Sequence, residues 1–460
     1  MPLSPEHVSN LVAIVGADSA RGAADLATLD PGVDPRNLGA GLMLRPRSTD
    51  ALARALAYCN ERRIGVVPQG GRTGLSGGAE SRDDEVIVAL DRFSQIESLD
   101  PMSRTAIVGA GVTLAALAER AAAHRLAPGI DLGARDGATI GGLVSTNAGG
   151  NAAFRHGTMR ERVLGLEAVL ADGTVLSELG RVRKRNEGLA IEQLFIGAEG
   201  TLGVVTRVAL ALVERGASPA TALIAVPSLD AAAALCDAAR RHPDFDLQAV
   251  ELMSGNHAAA ACRAAVATEL MGLAAHPYLV LVEVTRPQTA VAEAALIAWL
   301  EDALARGLVA DAAIAQNDTQ RLRFWRIRED WAVDRERPGG LWYDVSVPLA
   351  ALPAYVDACR ARLASHDPAL ALYVIGHLGD GNLHLTVNAE RPIVERYEEI
   401  APLVTDELPA LGGSFSAEHG IGLEKKATLH RLGSPARLER MRRVKAVFDP
   451  NGIMNPGKVL

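Results

Sequence analysis

Cysteine is scarce: four residues in 460, Cys59, Cys236, Cys262 and Cys359, widely spaced and never in a C-x-x-C pair. That excludes a disulfide framework, a zinc knuckle and an iron–sulfur motif, and predicts buried thiols in a reduced, cytoplasmic protein. Long apolar runs are missing as well. Stretches such as Tyr278–Val284 fall far short of a membrane span, so none is expected. The opening MPLSPEHVSNLVAIVG carries Glu6 and His7 and no basic segment ahead of its apolar stretch, unlike a secretory signal. Positive charge is not in excess: the net charge of −8 argues against a nucleic-acid surface or a polybasic membrane patch. A local site for a small anion remains compatible with an acidic chain. Two phosphate-binding signatures are also absent. No G-x-x-x-x-G-K-[ST] occurs, and Gly109-Ala110-Gly111 is followed by Leu114 where a dinucleotide fingerprint has its third glycine.

What is present is enough chain for two or three domains. Residues 43–68 read as a helix between two strands. Thr49 or Asp50 is the expected cap of the helix, and IGVVPQ the returning strand. TAIVGAG and VTLAALAERAAAHR repeat the strand–helix logic, and Val163–Leu176 reads as a hairpin turning at Asp172-Gly173. LGVVTRVALALV is a further strand, ending near residue 213. Beyond it glycine falls sharply, and alanine-rich helices (Asp230–Arg241, Ala290–Arg306) alternate with apolar strands such as ATALIAVP and YLVLVEV. A domain boundary is therefore expected at about 214.

Glycine clusters carry the first chemical signal. Gly70-Gly71-Arg72-Thr73-Gly74 directly follows a strand, and glycines there let backbone N–H groups converge on an anion. One such loop could equally be a surface turn. ATIGGLVSTNAGG adds Thr139, Ser145, Thr146 and Asn147 as hydrogen-bonding groups, and Gly197-Ala198-Glu199-Gly200-Thr201-Leu202-Gly203 is a third segment. Three together suit a long cofactor between two small lobes better than three turns.

The second signal is His377-Leu-Gly-Asp-Gly-Asn-Leu-His384. Its glycines disfavour a helix. As a hairpin, YVIGH runs in, Gly379-Asp380-Gly381-Asn382 turns, and LHLTV runs out, with His384 and Thr386 on a polar face opposite Leu383, Leu385 and Val387. Two imidazoles on a hairpin are two-thirds of an open zinc- or manganese-type site, or alternatively hydrogen-bonded strand histidines. The run Glu418-His419-Gly420-Ile421-Gly422 offers a third ligand of either kind.

The runs PQGGRTGLSGG, DLGARDGATIGGLVSTNAGGN and QLFIGAEGTLGVVTRV resemble the FAD domain of the vanillyl-alcohol oxidase/p-cresol methylhydroxylase (PCMH) superfamily. From about residue 40 to 460 the chain resembles its D-2-hydroxy acid dehydrogenase branch. The resemblance implies an α+β protein: a two-lobed PCMH-type FAD-binding domain over 1–214, and an α+β substrate or cap domain with an antiparallel sheet and the metal site over 215–430. A C-terminal segment, 431–460, would complete the FAD site. It implies that Pro68, Gly70, Gly71, Arg72, Thr73, Gly74 and Leu75 take the diphosphate of FAD. Pro128, Asp131, Gly133, Ile140, Gly141, Gly142, Thr146, Asn147, Ala148 and Gly149 would line the cofactor, joined by Glu199, Gly200, Gly203, Val204, Asn455 and Lys458. Members with covalent flavin often carry histidine after the paired glycines; Arg72 stands there, so the FAD is expected to be non-covalent. The same resemblance makes His377, His384 and Glu418 the ligands of one divalent metal, zinc or manganese. It makes His419 the catalytic base for hydride transfer from substrate C2 to flavin N5, and Arg328 the holder of the substrate carboxylate.

In substrate choice the chain departs from the hydroxyglutarate members of that branch. Ala332, Trp342 and Thr386 stand where those carry threonine, lysine and asparagine, which predicts a small or apolar D-2-hydroxy acid such as D-lactate. D-2-hydroxyglutarate or D-malate is the alternative. A metallohydrolase using the histidines and a phosphorylated substrate is the reading from another class, and a flavin subunit dependent on an iron–sulfur partner is a third. Electrons must leave to an external acceptor, an electron-transfer flavoprotein, a quinone, a cytochrome or oxygen, and homodimerisation stays open.

Overall fold

The computed structural model describes residues 2–216, 219–265 and 267–460. These divide into two compact units, one of residues 1–215 with 418–460, the other of residues 216–417. The first boundary lies beside the expected 214. The second falls at 417 and not at 430, because Glu418 to Gly422 is tied into the first unit: the Ile421 and Gly422 N–H groups donate to the Glu199 carboxylate at 2.7 and 2.8 Å.

The first unit holds two lobes, each with its own sheet and core. One is a four-stranded sheet in the order Ala20–Gly22, Leu42–Leu44, Glu85–Ala89, Gly65–Gln69, parallel except for its first strand. The helix Thr49–Arg62 packs Leu52 and Leu56, both fully buried, beside Val66, Val86 and Val88 of that sheet. Each such side chain contributes roughly 1.5–3 kcal/mol of burial. The cap of this helix is Ser48, whose hydroxyl accepts the Ala51 N–H at 3.2 Å. Thr49, expected as a cap, spends its own hydroxyl on Glu167 at 3.0 Å. The other lobe is an antiparallel sheet of five strands, Ile96–Asp100, Thr105–Gly109, Val204–Ala211, Val163–Val169, Val175–Glu178. Its last two strands form the hairpin expected around Asp172-Gly173. Val108, Leu117, Leu166 and Val208 build its core.

The C-terminal tail is pinned to the first lobe. The Val66 N–H donates to the Ile453 carbonyl and the Asn455 N–H to the Val66 carbonyl, both at 2.8 Å. Buried Asp449 organises the turn, accepting the N–H groups of Ile453 at 3.0 Å and Met454 at 2.8 Å. Lys445 donates to Asp449 at 2.5 Å and to the Thr201 and Met454 carbonyls at 2.8 Å.

The second unit is built on one seven-stranded antiparallel sheet: Asp311–Ile314, Ala220–Val226, Tyr278–Thr285, Asp246–Ser254, Ala371–His377, Asn382–Asn388, Leu341–Ser346. Ala220–Val226 and Tyr278–Thr285 are buried along their whole length, and their polar members pair with each other, the Thr221 hydroxyl donating to Glu283 at 2.8 Å. The helices Gly255–Ala264 and Asp318–Glu329 supply Ala258, Ala261, Phe324 and Ile327 to a core that includes Met253 and Leu281. All four cysteines are free and buried, and burial pushes the Cys59 thiol up to about 12. No helix among the described residues is long and apolar enough to cross a membrane.

Asp449→Ala should cost about 2–3 kcal/mol, since it leaves two N–H groups of the turn without their acceptor and half-buried Lys445 without its counter-charge. Urea denaturation is expected to show a lowered midpoint, and an unchanged midpoint would mean the tail turn is not held by this carboxylate.

Candidate active site

In the first unit the glycine segments line one cleft that opens to solvent. Pro68, Gly70, Gly71, Arg72, Thr73 and Gly74 form one wall; Gly141, Gly142 and Thr146 another; Glu199, Gly200, Gly203 and Val204 a third. The closeness is a backbone property. A Cβ at Gly71 would collide with the Gly137 carbonyl, which only glycine avoids. At Gly74 a Cβ would meet nothing within 4 Å, so that loop faces open space. Three buried polar atoms along the cleft, Gln69 Oε1, Arg72 Nε and Thr139 Oγ1, have no hydrogen-bond partner among the described residues. Unspent buried groups are costly unless a ligand meets them, so this lining fits a polar, phosphate-bearing cofactor such as FAD.

The remaining cofactor residues frame the cleft. Ile140, Ala148 and Pro128 are buried, and Asn147 turns the chain at a left-handed φ of 53°. The Asn147 Oδ1 accepts the Thr158 hydroxyl and the Arg160 N–H, both at 2.9 Å. Asp131 pairs with Arg135 at 2.8 Å, while Leu75 is half-buried. Nothing stands within 4 Å of a Cβ built at Gly133, whereas one at Gly149 would meet Ala153 at 3.0 Å. Asn455 donates to the Gly78 and Glu199 carbonyls at 3.0 and 2.7 Å, and buried Lys458 has its pKa lowered by desolvation. Glu199 is itself buried; burial pushes its pKa up against the opposing pull of the Ile421 and Gly422 N–H groups.

Those same contacts deliver His419 to the cleft wall. The Ser76 hydroxyl donates to the His419 carbonyl at 2.9 Å, and a Cβ at Gly422 would strike the Ser76 carbonyl. Next to it, the Glu418 Oε1 accepts the Gly150 N–H at 2.6 Å. Thus the first unit brings the proposed base into the lining of the glycine cleft.

In the second unit the histidine hairpin forms as its sequence predicts. His377 pairs across the strands with Asn382 and Ile375 with His384, so the two imidazoles are diagonal neighbours on one face with ring centroids 5.4 Å apart. Leu383, Leu385 and Val387 are buried on the other face. The turn depends on Gly381, at φ 78°, where a Cβ would collide with the Val347 carbonyl. Each histidine is backed by a buried carboxylate that the sequence reading missed. Glu251 lies directly across from His377, 2.8 Å from Nδ1; Asp344 lies across from His384, 3.8 Å from Nδ1. Glu251, within hydrogen-bond reach of His377 Nδ1, leaves Nε2 of that ring as the ligating lone pair, the usual arrangement behind metal-bound imidazole. This donor set fits a divalent cation. The available signal was a charged residue inside an apolar strand, Glu251 in AVELMS.

Arg328 is not one of the surface arginines of its helix. It is 5% exposed and pairs with Glu251 at 2.9 Å. Trp342 pairs across the strands with Thr386 on the histidine face; it is 50% exposed and lies edge-to-face with Trp331, centroids 5.1 Å apart. Its indole N–H donates to Asp334 at 2.6 Å. Ala332 is fully buried in the helix core.

Residues 217–459 match the family "FAD linked oxidases, C-terminal domain", and residues 40–178 match "FAD binding domain". The chain is 38% identical to the probable mitochondrial D-2-hydroxyglutarate dehydrogenase of Oryza sativa subsp. indica, over 91% of this chain and 75% of that protein. It is 35% identical to a putative mitochondrial D-lactate dehydrogenase of Schizosaccharomyces pombe, over 99% of this chain and 90% of that protein. A crystal structure of p-cresol methylhydroxylase superposes with a TM-score of 0.75 at 14% identity, covering 100% of this chain and 98% of that one, and so shares its fold. The FAD-binding match accounts for the glycine cleft without a phosphorylated substrate, which removes the ground for a metallohydrolase.

Gly71→Ala should therefore purify without flavin, its visible absorbance lost relative to the protein band; wild-type flavin content would contradict the cleft assignment. The chain belongs to the FAD-linked oxidase family of PCMH-type flavoproteins, in the branch of the D-2-hydroxyglutarate and D-lactate dehydrogenases, and is an FAD-dependent oxidoreductase.

Proposed function

We propose that this protein oxidises a small D-2-hydroxy acid to its 2-oxo acid, using dissociable FAD and one divalent ion, zinc or manganese. The observation that carries the reading is His419 in the lining of the glycine cleft, where a base must stand to work beside flavin. Bound in the glycine cleft, FAD would supply the hydride acceptor for C2, and a divalent ion would supply the charge that lowers the pKa of the substrate hydroxyl. His377 and His384 are proposed as ligands of that ion, with Glu418 as the third as the family resemblance implies. Neutral His419 accepts the hydroxyl proton. Arg328 holds the substrate carboxylate, a role suited to a guanidinium fork whose Nη2 is buried and makes no hydrogen bond. Arg72, at φ 55° after the paired glycines, offers no histidine for a flavin bond, in keeping with non-covalent FAD.

The side chain of the acid is the finer question. The rice and fission-yeast relatives are named for D-2-hydroxyglutarate and D-lactate respectively. Trp342, with its N–H already spent on Asp334, presents apolar surface on the histidine face, and no cation stands at its position or at Thr386. We therefore favour a small or apolar side chain, with D-2-hydroxyglutarate or D-malate as the alternative. An external acceptor, an electron-transfer flavoprotein, quinone or cytochrome, would reoxidise the flavin. The four buried free thiols suit a reducing compartment such as the cytoplasm, whereas both named relatives are described as mitochondrial.

Steady-state kinetics on D-lactate, D-2-hydroxybutyrate and D-2-hydroxyglutarate should give the highest kcat/KM for one of the first two. A preference for D-2-hydroxyglutarate would reverse the assignment of side chain and leave the reaction class intact. His419→Gln should retain flavin but lose about 10²–10⁴-fold in kcat, the usual contribution of a general base. Undiminished turnover in that variant would remove His419 from the chemistry.

A further inference from the structure

Along one face of the second unit's sheet, two histidines and two carboxylates stand in register: Glu251 opposite His377, and Asp344 opposite His384. Both carboxylates are almost fully buried, Glu251 at 1% and Asp344 at 2% exposure. Glu251 differs from Asp344 in serving an arginine as well. One of its oxygens lies 3.0 Å and the other 2.8 Å from His377 Nδ1. The second oxygen also accepts Arg328 Nε at 2.9 Å. Arg328 Nη2 lies 2.9 Å from that same oxygen but makes no hydrogen bond, so its N–H groups are unspent in a buried place.

His257, beside Arg328, is held neutral: burial first, and the arginine's charge second, lower its pKa to about 4. The helix that carries Arg328, Asp318–Glu329, is fastened separately to the sheet by Glu283, which accepts Trp325 Nε1 at 2.8 Å and Arg321 Nη1 at 3.1 Å.

Resting on the proposed roles of His377 and Arg328, we propose that Glu251 is a shared positioning residue. Its carboxylate keeps the His377 proton on Nδ1, so that Nε2 can ligate a divalent cation, and at the same time orients Arg328 for the carboxylate of the hydroxy acid. The chemistry requires a carboxylate. With two acceptor oxygens and no donor it can serve an imidazole N–H and a guanidinium together. An amide cannot, because one terminus is a donor that must face either the imidazole N–H or the guanidinium. Metal affinity and substrate affinity are thereby set by one side chain.

The test uses the full-length FAD-loaded protein with Glu251→Gln, Glu251→Asp, Glu283→Gln and His377→Ala. Zinc affinity is measured by competition with a chromophoric chelator, and KM for D-lactate is measured at saturating zinc. Glu251→Gln should bind zinc about 10–100-fold more weakly, as loss of a carboxylate behind a ligating histidine typically does. With the site refilled, its KM should still be raised about tenfold or more, the loss of one charge-assisted hydrogen bond. Glu251→Asp keeps the charge, and so the fold, but is too short to reach both partners; both readouts should move in it as well. Glu283→Gln should change neither. Wild-type zinc affinity or wild-type KM in the Glu251 variants overturns the proposal, as does a Glu283→Gln variant that reproduces both defects. His377→Ala separates the two levels: unaltered zinc affinity there would sink the metal reading itself, whereas lost affinity there with normal Glu251 variants would sink only the role of Glu251.

Discussion

Backbone must meet backbone with no side chain between them at Gly71 and Gly422, and the cleft of the first unit follows from that constraint. The first approach sets the glycine loop 70–74 against the Gly137 carbonyl; the second sets the 418–422 segment against Ser76. Glu199, itself at a left-handed φ of 50°, receives two N–H groups of that segment and so carries His419 to the cleft. A chemical group distant in sequence is placed by hydrogen bonds to main chain, which a flexible loop could not do with equal accuracy. The buried polar atoms left over, Gln69 Oε1, Arg72 Nε and Thr139 Oγ1, are the counterpart of a cofactor with its own polar surface.

The second unit reaches order of the same kind by strand register. A one-residue slip of the histidine hairpin would bury His384 and expose Leu383 and Leu385, so the hydrophobic face enforces the chemical one. Register then puts Glu251 and Asp344 behind the imidazoles and draws Arg328 down from its helix onto Glu251. The ionic groups here are buried and paired, an arrangement that costs stability when either partner is removed and fixes orientation while both remain.

Local pattern made much of this legible. The glycine segments, the alternation in LHLTV, the Asp172-Gly173 hairpin and the apolar strands could be read because turns and strands follow from near neighbours. Ser48 displaced Thr49 as a cap because Thr49 found Glu167, 118 residues away, a contact no local rule contains. The return of residues 418–430 to the first unit was likewise hidden: it depends on Glu199 and Ser76. Glu251 was missed for the opposite reason. A glutamate in an apolar strand is a plain anomaly, but its partners lie 77 and 126 residues on, and only the sheet order brings them to it. Family resemblance supplied the roles proposed for His419, Arg328 and Glu418, which spacing alone would have left open.

The central claim is that flavin reduction here requires both the glycine cleft and the histidine-bound ion. Stopped-flow observation of the flavin band in chelator-treated, FAD-loaded protein mixed anaerobically with its best D-2-hydroxy acid tests it directly. The account predicts that the band persists on the metal-free protein and bleaches when zinc or manganese is restored. Bleaching at full rate with the metal removed would contradict it.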